Sequence, residues 1–66
     1  MMNSIVLTER ADNQRFAIDP MTIIKVIELE EGSRVVTILG GEVEADDVME
    51  DMDEVLAKIK ESVFGE

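Results

Sequence analysis

The chain has 66 residues, 45% of them apolar, with no cysteine and no histidine. That composition excludes a disulfide framework, a Cys/His zinc site and any thiol or imidazole chemistry. Sixteen acids against six bases give a formal charge of −10 and a pI near 4.2, a surface that repels phosphate and is expected to make no direct contact with nucleic acid.

The first strand is expected at about residues 4–9, where Ile5-Val6-Leu7-Thr8 is apolar and β-branched. Asp12-Asn13 is a turn pair. Phe16 and Ile18 then alternate with Arg15, Ala17 and Asp19, which predicts a second strand over 15–19 and a hairpin. Asp19-Pro20 sets a cap before a proline, so one helical or 3₁₀ turn is expected at Pro20–Thr22.

The β-branched runs at 23–30 and 34–39 flank Glu31-Gly32-Ser33 and read as a second hairpin. Gly40-Gly41 supplies the positive φ of a tight turn, and Glu42-Val43-Glu44-Ala45 alternates as a further strand over 42–45. In these runs aliphatics stand on both faces: Ile24 and Val26 oppose Ile23, Ile27 and Leu29, while Val36 and Ile38 oppose Val35 and Leu39. A sheet covered on one face only alternates apolar with polar. A second copy covering the other face, a homodimer, is therefore expected. Chains this short are also marginal alone.

Val48, Met49, Met52, Val55, Leu56, Ile59 and Val63 form one apolar stripe at period 3.6. Met49 and Met52 read as core filler on that stripe. Two capping-box spacings precede it, Asp47-x-x-Glu50 and Asp51-x-x-Glu54, so the helix runs over 47–63 or 51–63. Lys58 and Lys60 sit towards its end, with the sign that suits the helix dipole, and Gly65 ends it. The expected fold is α+β: a small antiparallel sheet of four to five short strands, followed by one C-terminal amphipathic helix packed on it. It makes a single small domain over 1–66.

Chemistry is sparse. There is no Tyr or Trp, and Ser4, Ser33 and Ser62 have no histidine to activate them. A chain this small can scarcely build a pocket that tunes a carboxylate, so no enzyme is expected and no catalytic residue is named. The acidic run offers hard oxygen ligands, yet an EF-hand reading fails: counted from Asp47 or Asp51, the position needing glycine holds Met52 or Leu56. Gly40-Gly41 lacks the Lys-Ser/Thr of a phosphate loop. No metal and no cofactor are expected.

Charge is the informative feature. Residues 1–41 hold six acids and four bases, whereas residues 42–66 hold ten acids and two bases. Between Arg34 and Lys58 there is no base at all. Glu42, Glu44, Asp46, Asp47, Glu50, Asp51 and Asp53 are the candidate partner-binding residues. Together they are expected to form an acidic face that docks on a basic surface of a partner protein, as an inhibitor or regulator blocking a nucleic-acid-binding groove would. No leader-like or membrane-spanning apolar run is seen, and a cytoplasmic location in a bacterium or a phage-infected host is expected.

One resemblance spans about Ile5 to Ile59. Phe16 with Ile18, Asp19-Pro20, the apolar run from Ile23, Glu31-Gly32-Ser33, Val36 to Leu39, Gly41 and Val48-x-Glu50-Asp51-x-x-Glu54-Val55 follow one another in an order similar to that of the small FlbD-type (SwrD-type) proteins of flagellar operons. Short β-rich phage proteins with one terminal helix share the layout. Asp19-Pro20 stands where that family has Asn-Pro, Asp51 stands where a Ser caps the helix, and Glu42–Asp47 is longer and more acidic. The resemblance implies a non-enzymatic accessory protein, of a flagellar system or of a larger phage assembly. It also implies a helix that begins at Asp51, with Val48 on a strand.

Overall fold

A computed structural model describes residues 3–65. Five strands and one helix follow in the order β1 (Ile5–Thr8), β2 (Arg15–Ile18), β3 (Ile23–Glu28), β4 (Ser33–Leu39), β5 (Glu42–Val48) and α1 (Met52–Phe64), with a 3₁₀ turn at Pro20–Thr22 between β2 and β3. The α+β class stands. The strands, however, form two antiparallel sheets, β1-β2 and β3-β4-β5, and each is narrower than the one sheet expected. A bridge between Glu9 and Val48 joins them: the Arg10 amide donates to the Asp47 carbonyl (2.9 Å) and the Met49 amide to the Thr8 carbonyl (2.8 Å).

Local chemistry explains most turns. Asn13 closes the first hairpin with φ 59°, and Gly40 and Gly41 close the β4–β5 hairpin with φ 59° and 83°. These are left-handed values that asparagine and glycine tolerate. Gly32, at φ 74°, has a second constraint, because a Cβ there would overlap the Val48 carbonyl oxygen. Asp19 caps the 3₁₀ turn by accepting the Met21 amide at 2.9 Å.

The last strand runs to Val48 rather than stopping at 45, since β4 pairs with it along its whole length, from Leu39↔Glu42 to Ser33↔Val48. The helix therefore starts after Asp51. Its capping box closes with the Glu54 amide on Asp51 Oδ1 (2.8 Å) and the Asp51 amide on Glu54 Oε1 (3.4 Å). Two residues of the expected stripe leave the helix in consequence. Val48 is buried at the end of β5, and Met49 is exposed in the connection rather than filling the core. Lys58 and Lys60 lie short of the last turn, which carries no base, and Gly65 follows the helix in extended conformation.

The core is thin. Ile5, Leu7, Val35, Val48 and Val55 are buried, with Phe16, Ile18, Ile23, Val26 and Ile59 packed around them. A bulge corrects the facing expected in β3. The partners of Ile23 and Lys25 are the neighbours Thr37 and Val36, so the chain slips one residue at Ile24. Ile23 and Val26 thereby reach the same, core-facing side as Val35. The opposite face carries Ile27, Val36, Ile38 and Val43, with Ile38 39% and Val43 60% exposed.

Candidate functional site

Strand geometry alone sorts the acidic residues onto two faces. Alternate residues of β5 share a face, so Glu42, Glu44 and Asp46 stand on the side of Val35 and Val48, while Asp47 stands with Val43 and Ala45 on the other. The seven candidate carboxylates thus do not make one surface. They divide into a group held by the fold and a group left to solvent.

Three of the seven are held by structural contacts, and a fourth, Asp53, stands exposed beside them. Asp47 makes a two-point ion pair with Arg34, Nε to Oδ1 at 2.7 Å and Nη2 to Oδ2 at 3.2 Å. Hydrogen bonding from Arg34 holds the Asp47 carboxyl below its usual range; burial opposes this, and the charges of Arg34 and Arg10 reinforce it. The same pairing raises the Arg34 guanidinium. Glu50 reaches back to β1, accepting the Thr8 amide at 2.9 Å and the Thr8 hydroxyl at 3.0 Å. Its own carbonyl accepts the hydroxyl of buried Ser33 at 2.9 Å. Asp51 is the helix cap, and Asp53 stands exposed in the first helical turn, where a negative charge suits the dipole.

Glu42, Glu44 and Asp46 are different. Neither salt bridge among the described residues involves them, since Arg34 is taken by Asp47 and Arg10 by Glu31 at 2.9 Å. They line one wall of a groove of approximately 470 Å³ between β2 and the β4–β5 hairpin. Phe16, Ile18 and Leu39 give that groove an apolar floor, and Asp19 adds a fourth carboxylate. Along a strand the three wall carboxylates are spaced by about 6.8 Å, twice the antiparallel rise.

Glu9, from the end of β1, adds to this negative potential. Partial withdrawal from water raises its carboxyl, as does the neighbouring charge of Asp46. Sequence reasoning missed Glu9 because it lies far from the acidic run along the chain. It missed the groove floor because Phe16, Ile18 and Leu39 read simply as strand residues. No group of three or more carboxylates among the described residues converges on a point that could hold a metal ion. No helix among them is long and apolar enough to cross a membrane.

Comparison with protein-family models, curated proteins and solved structures finds no match to this chain.

Proposed function

We propose that the chain is a non-enzymatic interaction protein that docks, through Glu42, Glu44 and Asp46, on a basic surface of a partner protein. One observation carries this reading: those three carboxylates share one side of β5, stand over an apolar floor and have no cationic partner in either salt bridge. A net charge of −10 adds long-range attraction for a cationic partner. The basic surfaces of nucleic-acid-binding proteins have the matching character, so occupation of such a groove would inhibit or regulate its owner. Asp47, Glu50 and Asp51 support the docking strand and take no direct part.

The outer face of β3-β4-β5 favours a second contact, with another copy of this chain. Ile27, Val36, Ile38 and Val43 make it aliphatic, and its charged side chains are Lys25 and the mutually paired Arg34 and Asp47. It thus escapes the self-repulsion that the groove side would impose. An accessory role in a flagellar or phage assembly would use this same face and would be insensitive to salt.

The test is retention of a basic host protein on the immobilised chain at low and high salt. Capture that is lost by 1 M salt, and lost in the variant Glu42→Lys, Glu44→Lys, Asp46→Lys, supports the reading. Capture unchanged by either rejects charge-driven docking. Light scattering across a dilution series tests the dimer, and a monomer at micromolar concentration rejects it.

A further inference from the structure

The backbone of β5 carries information that its side chains alone do not. The β4–β5 hairpin closes on the two-residue loop Gly40-Gly41, so Leu39 and Glu42 are the pair that exchanges backbone hydrogen bonds. Counting along the strand, the amides and carbonyls of Glu42, Glu44, Asp46 and Val48 turn towards β4. Those of Val43, Ala45 and Asp47 turn away from it. The Asp47 carbonyl, which accepts the Arg10 amide on that outer side, agrees with this count. Val43 and Ala45 have no such partner among the described residues, because β5 pairs with β4 alone over this stretch. Both residues are exposed, Val43 at 60%.

This is an open strand edge, the kind of template on which another chain can add. We infer that the edge of β5 from Glu42 to Asp46 takes up an extended segment of the partner as an added antiparallel strand, with Lys or Arg at every second position. The inference rests on the docking role proposed above and specifies its geometry.

Charge decides the occupant. A second copy added at this edge would set Glu42, Glu44 and Asp46 against the same three carboxylates, and like charges directly opposite destabilise a strand pair. A cationic strand has the reverse preference. Its alternate residues stand on the same side as the three carboxylates, where their aliphatic stems can run into the groove that Phe16 and Ile18 line from β2. The intervening residues lie beside Val43 and Ala45, where a small or β-branched apolar side chain fits. Beyond Asp46 the edge is closed by Arg10, so the added strand is limited to about five paired residues, roughly 17 Å.

The probe is the peptide acetyl-Val-Lys-Val-Lys-Val-Lys-Val-amide, compared with two N-methylated analogues of identical charge. One is N-methylated on the valines, whose amides face β5 in the added strand; the other is N-methylated on the lysines, whose amides face away. The parent and the lysine-methylated peptide are expected to bind at least tenfold tighter than the valine-methylated one. The Val43 and Ala45 amides are expected to become protected from hydrogen exchange. Ala45→Pro removes an outward amide without costing a bond to β4, and this variant, folded by circular dichroism, is expected to lose the peptide while keeping every charge. Equal binding of both methylated analogues, without amide protection, overturns strand addition and leaves charge-driven docking standing. Failure of all three peptides and of oligolysine to bind overturns both.

Discussion

The two halves of the acidic run make an instructive contrast. Residues 47–51 and residues 42–46 carry carboxylates at similar density and lie next to each other in the chain. In the first half Asp47 is gripped by Arg34, Glu50 joins the helix entrance to β1, and Asp51 caps α1. In the second half Glu42, Glu44 and Asp46 pair with no cation among the described residues and line an open groove. Charge density along the sequence therefore does not report function. What a carboxylate does depends on whether a donor has been folded against it, and here that boundary falls between two adjacent residues, Asp46 and Asp47.

Substitutions that separate the halves should sort by size. Glu50→Ala is expected to cost the most, about 3 kcal/mol, because it deletes two charge-assisted bonds and strands a part-buried Thr8 amide. Urea unfolding would read this as a lower midpoint at unchanged slope. Asp51→Ala removes the cap acceptor of Glu54 and should cost about 1 kcal/mol, accompanied by fraying of the first helical turn in hydrogen exchange.

Asp47→Asn should cost less than the cap, since the Arg34 pair stands at the surface. Its effect has a defined pH sign. The folded Asp47 titrates below its ordinary value of 3.8. The stabilisation is therefore fully present above that value and fades as pH falls through the lower, folded one. The difference between Asp47→Asn and the parent chain, measured as unfolding midpoints, should accordingly vanish in strong acid. If it persisted there, the ion pair would not be its source.

Glu9→Gln should act in the opposite direction. Its carboxyl is raised in the folded chain, so the ionised form is disfavoured by folding at neutral pH, and that penalty disappears as pH falls below the carboxylate range. A modest gain in midpoint at pH 7, absent in acid, is expected. Smallest of all should be Glu42→Gln and Glu44→Gln, each within about 0.5 kcal/mol of the parent. The same two changes are expected to weaken binding of a basic partner and to flatten its salt dependence. A loss of stability at either position as large as that of Glu50→Ala would erase the contrast between the halves.

Much of the fold was legible in residue order. The alternation at Phe16 and Ile18, the Asp-Pro turn and the glycine pair at 40–41 each carry their own local cause, and each appears where its chemistry requires. The helix start was not legible, because Asp47 and Asp51 offer the same spacing to a glutamate three residues on. Pairing with β4 settled it by drawing Asp47 and Val48 into a strand. The facing of β3 was not legible either, since a bulge depends on the partner strand and leaves no mark in the alternation.

Residue order and composition alone specify an α+β chain without thiol or imidazole, heavily anionic in its last third, with aliphatics enough for a thin core. These features follow from side-chain chemistry and from period-two and period-3.6 patterns, which act over a few residues. Long-range contacts set which carboxylates find a donor or cation among the described residues and which do not. That choice depends on Arg34, Thr8 and Phe16 arriving from distant parts of the chain, and a hydrogen bond or ion pair acts over a few ångströms whatever the separation along the chain.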